Sequence, residues 1–109
     1  MEVKRVPTNT KKLIREMGSM HVAYLTDATE LQVKNWLEGS SDPNIEQLDT
    51  IVFTWSIYER LRKTGMDLID IMLWFNIMLD EKTTINKAIR DGRCRGEILQ
   101  LLEAQENGV

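Results

Sequence analysis

Catalysis needs a nucleophile or a base held beside a partner that activates it. The chain offers one histidine, His21, and one cysteine, Cys94, more than seventy positions apart. Neither has a sequence neighbour that completes a dyad. Cys94 sits within Gly92-Arg93-Cys94-Arg95-Gly96, where two arginines favour a thiolate; an inert cysteine near a helix start is the plainer reading. His21 falls in a short helical stretch and reads as a surface or boundary residue. Gly92 and Gly96 lack the Lys-Ser/Thr and the preceding strand of a phosphate loop. The carboxylate pairs Asp67 with Asp70 and Asp80 with Glu81 have no accompanying polar cleft and read as helix caps. A single cysteine excludes an internal disulfide and a multi-cysteine metal site. The expectation is a non-enzymatic chain with no cofactor and no metal.

A different chemistry is concentrated in residues 20–39. There a short helix, a break at Thr26-Asp27-Ala28 and a second short helix, 30–38, follow at the spacing of a DNA-reading helix-turn-helix. The first helix of such a motif braces across the backbone, and the second enters the major groove. Val22, Ala23 and Leu25 are small or apolar where the helices approach, and Val33 with Trp36 or Leu37 falls on the packed side. Glu30, Gln32, Lys34 and Asn35 fall outwards as base-contact candidates. Gln and Asn read adenine in two-point fashion, Lys meets guanine or phosphate, and Glu accepts from cytosine. Thr29, Ser40 and Ser41 are candidates for phosphate contacts through their hydroxyls. Lys4, Arg5, Lys11 and Lys12 add sequence-independent attraction to the phosphate backbone.

Positioning those residues falls to helices. The chain has 109 residues, two prolines and no sustained β-branched alternation. Seven helices are predicted, over 11–17, 20–25, 30–38, 45–63, 67–79, 85–90 and 95–105. Thr8-Asn9-Thr10, Ser19 and Thr29 are expected caps, and Gly18, Gly39, Gly65 and Gly92 expected stops. In the fourth helix Ile45, Leu48, Ile51, Val52, Trp55, Tyr58 and Leu61 form a broad apolar face. The fifth is apolar almost all round and is expected to be buried. The fold class is all-α: an N-terminal helix-turn-helix bundle, a long connecting helix and a small C-terminal helical module. The expected domains are 1–64, with a basic amino-terminal arm, and 65–109, for partner binding or dimerisation; Pro43 offers a second seam.

Charge refines this. Lys plus Arg number 14 and Asp plus Glu 17, a formal net charge of −3, which excludes a uniformly basic DNA coat. Residues 1–15 nevertheless carry Lys4, Arg5, Lys11, Lys12 and Arg15 against Glu2 alone. No apolar segment follows the start, so no signal peptide is expected. The longest apolar stretch, 71–79, is far short of the ~20 residues of a membrane span. A soluble, cytoplasmic protein is expected.

Residues 29–39 and then Pro43-Asn-Ile-Glu-Gln-Leu48 resemble the Xre-type helix-turn-helix family, with Trp36, Gly39 and Pro43 carrying most of the likeness. Many members have Gly-Val where this chain has Asp27-Ala28, and Glu30 places an acid at the groove entrance. The carboxyl half resembles the toxin-binding module of the Xre/MbcA/ParS antitoxins through Trp74, Asn76, Leu79, Arg90-Asp-Gly92 and the closing helix. The module's usual proline is replaced near Thr83-Thr84-Ile85. The resemblance implies an autoregulating antitoxin or repressor that binds double-stranded DNA. Its carboxyl helices would hold a cognate toxin: Trp74, Asn76, Leu79 and Gly92 would keep the fold, and residues 97–109 would meet the toxin. The apolar surface of the fourth and fifth helices suggests a homodimer. Two other readings stand beside this one: a helical protein–protein interaction module that does not bind DNA, and a phage or plasmid repressor with a second DNA-contacting module.

Overall fold

The computed structural model describes residues 8–108, and among these the chain is all-α. Its helices are α1 Thr8–Met17, α2 Ser19–Thr26, α3 Glu30–Glu38, α4 Ile45–Lys63, α5 Leu68–Trp74, α6 Ile85–Asp91 and α7 Arg95–Glu106. One compact unit runs to Trp55 and a second begins at Ser56, within α4.

In the first unit α1, α2 and α3 pack on one another. Thr8-Asn9-Thr10 does not cap α1 as expected; the helix already begins at Thr8. Gly18, at φ +94°, both ends α1 and starts α2. Its N–H donates to the Ile14 carbonyl (2.8 Å) and its own carbonyl accepts from Val22 (3.2 Å). Ser19 is therefore the first residue of α2 and not its cap, which frees its hydroxyl for a longer-range bond. Leu13, Ile14 and Met17 of α1, Val22 and Leu25 of α2, and Val33 and Trp36 of α3 are all buried. These positions recur every three or four residues, the spacing that puts side chains on one helical face.

The α4 face differs from the sequence reading. Asn44 and Gln47 start the helix as a reciprocal cap, each side-chain oxygen accepting the other's backbone N–H at 2.8 Å. Ile51, Tyr58 and Leu61 are buried as expected, but so are Thr54 and Ile57, while Ile45 is 86% exposed and Val52 is exposed. Each residue turns the helix by about 100°, so a stripe through 51, 54, 58 and 61 leaves 45 and 52 off it.

In the second unit the predicted fifth helix is cut short. It ends at Trp74 and not at Leu79. After Trp74 the backbone exchanges helical bonds for pairing across a turn: Leu79 N–H donates to Thr83 (2.7 Å), Ile85 to Ile77 (2.9 Å) and Asn86 to Phe75 (3.0 Å). Met78 and Thr84 form an isolated antiparallel bridge. Asn86 Nδ2 donates to Asn76 Oδ1 at 2.9 Å, and Phe75 buries edge-on against Trp74 with ring centroids 5.5 Å apart. The helix is not buried all round either. Ile71 and Trp74 are buried, but Ile69 is 71% and Leu73 62% exposed.

Thr84 caps α6 by accepting from Lys87 N–H at 3.0 Å, and α6 packs on α7. Arg60 in the last turn of α4 grips Glu106 at the end of α7 with both Nε (2.7 Å) and Nη2 (2.6 Å). No helix of the described residues is long and apolar enough to cross a membrane.

Candidate nucleic-acid interface

The pair α2 and α3 is joined by the three residues Asp27, Ala28 and Thr29, and the local chemistry explains the tightness of the turn. Thr26 Oγ1 folds back onto the Val22 carbonyl (2.7 Å), and Ala28 N–H donates to Ala23 (2.9 Å). Asp27 adopts the left-handed conformation at φ +57°, which Asp tolerates better than most side chains. Thr29 then caps α3 as expected. Its Oγ1 accepts from Gln32 N–H (3.1 Å), and Gln32 Oε1 accepts from Thr29 N–H (2.9 Å). At the other end Gly39, at φ +86°, donates to Asn35 and Trp36 in the manner of a left-handed helix stop.

Lys34 is thus brought onto the side of α3 away from Val33 and Trp36, while Glu30 and Gln32 flank that packed face, one turn from Val33 and Trp36 respectively. Glu30, Gln32 and Lys34 are exposed and Asn35 is half-buried. They are not idle. Glu30 accepts from Ser19 Oγ at 3.0 Å and pairs with Lys34 at 3.6 Å. The first contact pins the amino end of α3 to that of α2; the second partly neutralises the acid that would face phosphate. Gln32 is held by its capping role. The Asn35 backbone carbonyl accepts from Ser40 N–H (2.9 Å) and Ser40 Oγ (3.3 Å).

The phosphate-contact candidates divide. Thr29 lies at the amino end of α3, and exposed Ser40 and Ser41 lie beyond its carboxyl end. Lys11, half-buried, and Lys12, exposed, are on α1, a different helix from the base-contact candidates. Lys4 and Arg5 lie outside the described residues. Sequence reasoning missed Leu31, which is 68% exposed in the first turn of α3. Its signal was present: two residues before Val33, it must fall away from the packed face.

Elsewhere, Asp67 caps α5 by accepting from Asp70 N–H at 2.9 Å, as its position in sequence suggested. Cys94 is half-buried at φ +62° before α7. Among the described residues no group of three or more His, Cys, Asp or Glu is placed to hold a metal ion. The chain matches no protein-family model, no curated protein and no solved structure.

Proposed function

We propose that this protein is a sequence-specific DNA-binding regulator of transcription, a repressor or autoregulating antitoxin, that reads the major groove with α3. The observation that carries the reading is the α2–turn–α3 unit. It has two short helices, a three-residue turn closed by its own hydrogen bonds, and an α3 with one face buried and a polar face exposed. In this reading α2 braces across the backbone while Gln32, beside its capping role, and Lys34 and Asn35 reach base edges. Leu31 gives an apolar contact of the kind a thymine methyl fits. Thr29, Ser40, Ser41, Lys11 and Lys12, with Lys4 and Arg5, contact phosphates and fix the register. No step of chemistry is assigned to the chain, and no cofactor. The second unit is the partner-holding module, with residues 97–109 meeting a toxin in the antitoxin version; two copies on a two-fold operator complete the assembly.

A second reading is favoured by a specific observation, the Glu30–Lys34 ion pair, which leaves α3 without an unpaired cation among its described side chains. There the bundle is a protein-interaction module without DNA affinity. Selection of randomised duplexes by the full-length protein separates the two. Recovery of one recurring site, with affinity falling steeply between about 50 and 200 mM salt, is the expected result. Recovery of no sequence above background at the lower salt would leave the interaction module as the function.

A further inference from the structure

The charge of this chain is localised. Between Asp67 and Lys82 stand four acidic residues, Asp67, Asp70, Asp80 and Glu81, and one basic residue, Lys82, a local sum of −3. That equals the net charge of the whole protein, so all other residues together sum to zero. All five of these charged residues are exposed. Asp80 accepts the Lys82 backbone N–H at 2.8 Å, and this bond, with the nearby charge of Arg93 acting in the same direction, holds its carboxyl below the ordinary carboxylate range. Arg93 thus offsets part of the negative charge at the Asp80 end.

The same segment carries an apolar surface. Leu68 (39% exposed), Ile69 (71%), Leu73 (62%), Ile77 (39%) and Met78 (52%) all reach solvent within eleven consecutive positions. Ile69 and Leu73 are one helical turn apart on α5, opposite the buried Ile71 and Trp74. Ile77 and Met78 follow on the turn that replaces the helix end. Isolated exposed apolar side chains need no partner, but a pair on one helical face, with further exposed apolar residues in the turn that follows and charges on either side in sequence, marks a binding surface.

We infer that the α5 face and the turn after it form a docking surface for a cationic amphipathic segment of another protein. Its apolar side chains would cover Ile69, Leu73 and Met78, and its Lys or Arg heads would reach the surrounding carboxylates. The sign of the charge selects this occupant. A second copy of the chain would bring the same carboxylates against themselves across a two-fold axis, a repulsive arrangement. Nucleic acid and an anionic membrane surface are repelled for the same reason. A basic amphipathic helix has both required features, an apolar stripe and long cationic stems that lie along apolar surface. This surface is distinct from residues 97–109, and it does not depend on DNA binding by α3.

The test uses the full-length protein and three synthetic helical peptides with one common leucine stripe, their polar positions filled by Lys, Gln or Glu. Fluorescence anisotropy should give binding in the order Lys, Gln, Glu, with the Lys peptide weakened by salt. Ile69→Ser combined with Leu73→Ser should weaken the Lys peptide about tenfold while preserving the helical circular dichroism, since both side chains are largely solvated. Asp70→Asn combined with Glu81→Gln leaves the apolar face intact and should remove the preference for Lys over Gln. Any of three results would overturn the inference. They are equal binding of the Glu peptide, wild-type affinity for the Lys peptide in both double variants, or sedimentation of the protein as a dimer that Ile69→Ser with Leu73→Ser converts to monomer.

Discussion

Gln32 illustrates how one side chain can be claimed by two roles. Its position on the outer side of α3 makes it a natural reader of adenine, yet its Oε1 is spent on the Thr29 N–H that closes the capping box. Truncation cannot separate the roles, because Gln32→Ala removes both. It should cost about 0.5–1 kcal/mol, a drop of a few degrees in melting temperature, whatever its effect on DNA. Gln32→Glu separates them, since a glutamate serves this cap position as well as a glutamine does. The expected outcome is a melting temperature close to wild type with loss of operator choice, read by thermal denaturation and by binding to the selected duplex. Retained operator choice in Gln32→Glu would assign Gln32 to the cap alone and leave base reading to Leu31, Lys34 and Asn35.

At the level of elements, part of the pH response of the second unit should pass through the contact between Arg60 and Glu106. Arg60 donates two hydrogen bonds to Glu106, and these hold the Glu106 carboxyl below its ordinary range, while Glu106 raises Arg60. A carboxyl whose pKa is lower folded than unfolded stabilises the fold above its unfolded pKa, and that contribution is lost as pH falls through the folded value. Urea unfolding of Glu106→Gln, compared with wild type at about pH 6 and about pH 3, should show a variant less stable at the higher pH and a difference that shrinks at the lower. An unchanged difference would mean that Arg60 and Glu106 do not act as a pair in solution. Other elements were legible in sequence: α3 and α4 appear with the predicted bounds, because Thr29 and Gly39 bracket the one and Gly65 follows the other. The end of α5 was not. Periodicity carries an apolar run forward through Leu79, but what ends the helix is pairing of Phe75, Ile77 and Leu79 with Asn86, Ile85 and Thr83, partners that composition cannot reveal. The roles of Ser19 and Glu30 were hidden for the same reason, since their bond spans two helices. Local chemistry is written in adjacent letters; non-local pairing is not.

For the molecule as a whole, the distribution of charge decides how it meets its partners. The described part of the proposed DNA-reading surface offers Lys11 and Lys12 on α1, while Lys34 on α3 is engaged by Glu30. Non-specific attraction to the phosphate backbone therefore leans on Lys4 and Arg5 at the start of the chain. Each neutralised phosphate contributes a slope of about −0.9 in the logarithm of affinity against the logarithm of salt concentration. Replacing Lys4 and Arg5 by alanine should lower the magnitude of that slope by about 2 per chain, weakening all duplexes nearly equally and leaving the preferred sequence unchanged. Titrations of the selected duplex and a scrambled one at several salt concentrations measure both quantities. A changed sequence preference would place Lys4 or Arg5 against base edges, as when an amino-terminal arm enters the minor groove. An unchanged slope would assign the phosphate contacts to Lys11, Lys12 and the hydroxyls of Thr29, Ser40 and Ser41. The acidic segment 67–82 is the electrostatic counterweight, repelling the same phosphates that the first residues attract. On the proposed reading the two charge centres would select partners of opposite sign: phosphate for one, Lys- and Arg-rich protein for the other.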